Sequence, residues 1–320
     1  MNDLLINIST IPFLLILFFI FKKMGIIKKE WAKPLSFIGF NLGLSLLIFL
    51  SFLQAPIAKN TLLNPFIGFL FASLLFLIGF IFIKFFKIPK DHKPIFISSL
   101  VTREGGGVGY PFFIVIFGVL NLTQIALFDL GMAIFAFTIL TFYFYRSTTG
   151  TKKELGGQII KILKIPILPA MVIGLILNLL GLRMSGDGII EGSIMRLIQT
   201  LSAVAIPLIL MSIVLNFEIN IKAIKKALPF SVGSIAISVV LASILFFVWR
   251  FIPLNPLAKG ALLVMALLPP SLYVSALAEN LNLSDDKKNY ATQLFSVTVF
   301  ISIIILLILS PFIPKIITLW

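Results

Sequence analysis

The residues able to do chemistry cluster in one stretch, Val101–Phe113, which reads VTREGGGVGYPFF. Arg103 and Glu104 stand side by side, followed by Gly105, Gly106, Gly107 and Gly109, then Pro111. These two charges and Asp129 fall inside long apolar runs. A charge near the centre of a bilayer costs about 2.5–3.5 kcal/mol on insertion scales, so all three must be paired, hydrated or neutralised. Two chemistries are open. Neighbours on a helix do not face each other, but an unwound backbone lets Arg103 and Glu104 pair, and Asp129 is another partner for Arg103. The charges then form a structural ion pair set. Alternatively they serve a solute: the planar fork of Arg103 suits bidentate contact with a carboxylate, while Glu104, with Asp129, binds and releases a proton or another ion.

The surrounding residues say what holds these groups. With 59% hydrophobic and 12% charged residues, the chain has about half the charge of an ordinary soluble domain. Its mean hydropathy is +1.13. A soluble fold could not hide that much apolar surface, so the bilayer acts as solvent. Spanning helices need about 20 apolar residues. Ten such runs occur, near 4–21, 35–53, 66–86, 95–120, 122–145, 159–180, 197–217, 228–251, 257–280 and 290–312. None alternates like a barrel strand, so the fold class is an all-α polytopic membrane protein with ten transmembrane helices.

The net charge of +14 orients the chain rather than attracting nucleic acid. The first connection holds Lys22, Lys23, Lys28, Lys29 and Lys33, the third Lys84, Lys87, Lys90 and Lys93, the fifth Arg146, Lys152, Lys153, Lys161 and Lys164. Lys222, Lys225, Lys226, Lys287 and Lys288 follow in the seventh and ninth, whereas the opposite side has Lys59, Arg183, Arg196, Arg250, Lys259 and Lys315. Basic loops stay cytoplasmic. Both termini therefore face the non-cytoplasmic side of the cell membrane.

The polar stretch RSTTGTKKELGGQ, Arg146–Gln158, divides the chain into residues 1–150 and 151–320, each with five runs. With an odd number of spans per half, two halves of one fold insert upside down relative to each other, as in many secondary transporters. Matching breaks support this. The fourth run is interrupted at Gly105–Pro111, and the ninth, ALLVMALLPPSLYVSALAEN, carries Pro269 and Pro270 near its centre. Proline removes a backbone donor and clashes with the preceding turn. Irregular backbone at membrane depth survives only where protein or water covers it, and half-helix ends carry partial charge. The two broken spans are thus expected to cross at a solute site.

EGGGVGYP (Glu104–Pro111), SAVAIPLILMSIVLNFEI (Ser202–Ile219) and LLPPSLYVSALAENLNLSDDKKNYATQLFSVTVFISI (Leu267–Ile303) resemble the auxin efflux carrier family, in the form of its bacterial permeases, itself related in fold to bile acid/sodium symporters. The resemblance covers the whole chain in organisation. It implies two inverted five-helix repeats with broken, crossing spans 4 and 9, and a scaffold of spans 1, 2, 6 and 7, often dimeric. It also implies a core of spans 3–5 and 8–10 that moves like an elevator, and a solute that is a small carboxylate-type anion. Two departures stand out. Glu104 occupies the position of the family's usual Asn, and FNLGLSLLIF, Phe40–Phe49, has Gly43 where a central proline is common.

Arg103, Glu104, Gly105, Gly106, Gly107, Gly109, Pro111, Asn41, Pro269, Pro270 and Ser271 are the expected solute-binding residues, with Glu104 and Asp129 for ion coupling. Other polar residues at depth, among them Gln199, Ser275, Gln293, Ser296 and Thr298, read as bonds between helices. Asp285 and Asp286 read as solvated, as does His92, the single histidine, in KIPKDHKP; there is no cysteine. Neither a metal site nor a cofactor is expected. A phosphate-binding loop of the GxxxxGK[ST] type is missing, and so are HExxH and a second deep aspartate for Asp129, which argues against an enzyme. The expected partners are a small organic solute and membrane lipid. A channel or uniporter for a non-anionic solute is the alternative.

Overall fold

The computed structural model describes residues 2–55, 59–85, 88–149, 166–182, 184, 188–217, 221–249 and 255–319. The described residues contain helices and no strand. In chain order these are α1 (Asn2–Lys23), α2 (Lys29–Gln54), α3 (Asn60–Phe85), α4 (Lys93–Val101), α5 (Tyr110–Phe117), α6 (Val119–Thr148), α7 (Ile167–Leu179) and α8 (Ile189–Asn216). They continue with α9 (Ile221–Trp249), α10 (Pro256–Leu267), α11 (Tyr273–Asn280), α12 (Asp285–Leu309) and α13 (Ile313–Leu319).

Seven of them, α1, α2, α3, α6, α8, α9 and α12, are long and apolar enough to cross a membrane. They fall on seven of the ten apolar runs. Two of the remaining runs differ for a physical reason. The fourth is divided into α4 and α5, the ninth into α10 and α11. At 1.5 Å per residue, neither half alone reaches across the hydrocarbon. The sixth run is represented by α7, and its first residues lie outside the described ones, as does most of the Arg146–Gln158 connection.

The chain forms two compact units. One comprises Met1–Ala58, Gly106–Ala126 and Ile160–Phe217; the other comprises Lys59–Gly105, Leu127–Ile159 and Glu218–Trp320. Each takes residues from both halves of the sequence.

In the first unit α1 lies along α8, and α7 lies along α2. Helix C-termini leave carbonyls without intrahelical partners, and the same solution is used twice. Lys22, near the end of α1, donates from Nζ to the carbonyls of Val214, Leu215 and Phe217 at 2.8–3.1 Å. Its charge also suits the negative end of α8. Asn178, near the end of α7, donates from Nδ2 to the carbonyls of Phe52, Leu53 and Ala55 at 2.8–2.9 Å, at the end of α2. Helix α2 is not regular. Its turn Gly39–Leu44 is a π-helix, a wide turn that often marks functional positions. Gly43 lies inside it.

In the second unit α3 and α6 approach at backbone distance. A Cβ on Gly68 would strike the carbonyl of Phe128, and one on Gly131 the carbonyl of Pro65. Phe76, edge-on to Phe80, Phe135 and Tyr143, extends that contact. Ser231 of α9 and Thr298 of α12 share a hydrogen bond of 2.7 Å, so Thr298 joins helices as expected. His92 is not the freely solvated loop residue of the sequence reading. Its Nε2 lies 2.9 Å from Asp286 Oδ2, and its ring meets Tyr290 edge-on. It thereby ties the start of α4 to the start of α12, while Asp286 itself stays exposed.

Candidate functional site

The ninth run breaks where its prolines require. A residue before proline is pushed out of the α region, and Leu268 is extended, at φ −74° and ψ 153°. Residues 268–271 are non-helical, and α11 begins at Tyr273. The break leaves carbonyls at the end of α10 and amides at the start of α11 without helical partners.

The fourth run breaks three residues before its glycines. Thr102 is extended, at φ −80° and ψ 148°. Residues 102–104 are non-helical, and Gly105–Gly109 form a π turn leading into α5. Glycine at 105 answers a close approach: the carboxylate of Asp129, on α6, lies against its Cα, where a side chain would have to stand. The structure therefore brings Asp129 to the break.

Residues 102–104 serve the broken ends of α10 and α11. At the C-terminal end of α10, Arg103 donates from Nη1 to the Leu268 carbonyl at 3.4 Å, and the Glu104 amide donates to the Pro269 carbonyl at 2.9 Å. Arg103 Nη2 donates to Ser238 Oγ of α9, whose hydroxyl donates in turn to the Ser234 carbonyl at 2.7 Å. At the N-terminal end of α11, Glu104 Oε2 accepts from the Leu272 amide at 3.0 Å and from Ser271 Oγ at 3.2 Å. The Ser271 amide donates to Thr102 Oγ1, and the Tyr273 amide to Ser271 Oγ. The cation thus meets the negative end of one half-helix and the carboxylate the positive end of the next, the favourable sense for both.

Burial makes these contacts strong. Arg103 is 5% exposed and Glu104 8%, so each hydrogen bond to a charge acts in a medium of low dielectric constant. Tyr273 extends the network, with its hydroxyl 2.5 Å from Thr141 Oγ1 on α6. Arg103 Nε is buried without a hydrogen-bond partner.

Among the expected site residues, Arg103, Glu104, Gly105, Asp129, Pro269, Pro270 and Ser271 come together in this cluster. Asn41, half-buried in the π turn of α2, belongs to the first unit, as do Gly106, Gly107, Gly109 and Pro111. Arg103 bonds to α9 and to Leu268, whereas the pairings that the sequence left open for it were Glu104 and Asp129. Thr102, Ser238, Leu272 and Thr141 were not anticipated. The spacing of Ser231, Ser234 and Ser238, all buried on α9, was the available signal for a polar stripe. A backbone amide such as that of Leu272 has no signature in sequence.

No group of three or more His, Cys, Asp or Glu side chains among the described residues could hold a metal ion. Comparison of the chain with models of protein families finds no match, and comparison with curated proteins finds none either.

Proposed function

We propose that the chain is a secondary transporter, moving a small organic solute across the cell membrane by alternating access, with the paired helix breaks as its solute site. The observation that carries this reading is the reciprocal bonding of the two interruptions: Arg103 and Glu104 in one break satisfy the half-helix ends of the other. Irregular backbone at membrane depth, built from half-helices in corresponding spans, is the arrangement that solute sites of secondary transporters use.

Further observations support the inverted-repeat architecture of ten spans. Lys22 and Asn178 cap the second helix of the opposite half in the same manner. The first compact unit gathers the spans expected of a scaffold, α1, α2, α7 and α8, and the second gathers the third, eighth, ninth and tenth with most of the fifth. Division of the fourth span between the units suits a moving core. Resemblance to the auxin efflux carrier family, dimerisation through scaffold helices and external termini are parts of the same proposal.

A channel through the breaks is the second reading. Proteoliposomes containing the purified chain, loaded with a mixture of organic acids, amino acids and polyamines, distinguish the two. A carrier gives saturable uptake of a labelled component, stimulated by the same compound on the opposite side. Uptake that stays linear and shows no such counterflow overturns the carrier.

A further inference from the structure

The start of α11 is a ready anion position, and the chain fills it. Three successive amides there, of Ser271, Leu272 and Tyr273, donate to Thr102 Oγ1, Glu104 Oε2 and Ser271 Oγ, respectively. None of these donors remains for an incoming carboxylate. Displacing Glu104 would only place a second negative charge beside the first. Asp129 adds another carboxylate at Gly105, so Arg103, Glu104 and Asp129 at the break sum to one negative charge when ionised.

Arg103 does not reverse this balance. A carboxylate is gripped by two parallel N–H groups of one guanidinium fork. Two of the five N–H groups of Arg103, one on each Nη, are engaged with the Leu268 carbonyl and with Ser238 Oγ. Among the N–H groups left over, the Nε–H is buried without a partner and suits a carbonyl or hydroxyl oxygen.

We propose that Glu104 sets the charge selectivity of the break: by standing in for an anionic ligand at the start of α11 it turns away free carboxylates, and the wild-type chain takes a neutral or cationic polar solute. The inference rests on reading the break as the solute site. It departs from the carboxylate-type anion that the family resemblance implies.

Three probes of matched size test it: propionate, propionamide and n-propylammonium, each measured by thermal shift of the purified chain. Wild-type protein is expected to be stabilised by propionamide or propylammonium and not by propionate. Glu104→Gln keeps an acceptor for the Leu272 amide but removes the charge, and should gain at least tenfold in propionate affinity. Stabilisation of the wild type by propionate, a flat response to all three probes, or no gain in Glu104→Gln overturns the proposal. Should Glu104→Gln not fold, the wild-type comparison decides alone. Labelled propionate in proteoliposomes separates this from the transport reading. Propionate counterflow by the wild type sinks the selectivity role and leaves the carrier standing. Binding gained without counterflow in either form sinks the carrier and leaves the selectivity role.

Discussion

At Arg103 a long cation is held among carbonyl and hydroxyl oxygens, and that dictates what a substitution does. Arg103→Met leaves the Leu268 carbonyl and the Ser238 hydroxyl without the cation that donates to them. A hydrogen bond from a charged group is worth about 1.5–3 kcal/mol, so the thermal midpoint in detergent should fall. Arg103→Lys keeps the charge but cannot reach Leu268 and Ser238 together, so it should fall between the two; equal stability of all three proteins would show that the contacts carry nothing. Gly105→Ala sets a methyl group against the Asp129 carboxylate. Overpacking of this kind costs about 1–3 kcal/mol, and Asp129→Asn would not relieve it, because the shape is unchanged. Charges and prolines in an apolar run are visible in sequence, so Arg103, Glu104, Asp129, Pro269 and Pro270 were legible. Their partners were less so: the Leu272 amide and the Ser238 hydroxyl become site groups only through the register of two broken helices.

Among the elements, the broken helices make the sharpest demands. Pro269 and Pro270 leave the end of α10 and the start of α11 open to residues 102–104. Replacing both by alanine favours a continuous helix through 256–280, with its own i to i−4 bonds in place of those to Glu104 and Arg103. The double variant should insert and remain monodisperse, yet lose solute counterflow. Counterflow at the wild-type rate would mean that the prolines serve packing alone. The caps make a separate demand. Lys22→Met removes three hydrogen bonds and a charge from the end of α8. A cation at a partly buried helix C-terminus is worth up to about 2 kcal/mol, so a loss of about 1–2 kcal/mol is expected on thermal unfolding, with Lys22→Arg largely restoring it. Span positions followed from apolar length. The π turn Gly39–Leu44 and the start of the fourth break at Thr102 did not, because neither is marked by proline and both depend on which carbonyls find partners elsewhere.

For the molecule as a whole, topology and access are the decisive properties. On the proposed topology Thr151 faces the cytoplasm and Thr318 the outside. Single cysteines at these positions in a chain that has no cysteine of its own should react with an impermeant reagent from opposite sides. Reaction from the same side would sink the inverted-repeat reading. The most direct measurement of the central claim uses the same property at the break itself. Ser271→Cys puts a thiol of similar size at the start of α11, and a cationic, impermeant methanethiosulfonate is added to either face of sealed vesicles while membrane conductance is recorded. An alternating-access carrier predicts modification of Cys at position 271 from both faces with no steady conductance, because the break opens to one side at a time. Modification from one face only, or from neither, or accompanied by a sustained ionic current, would contradict it.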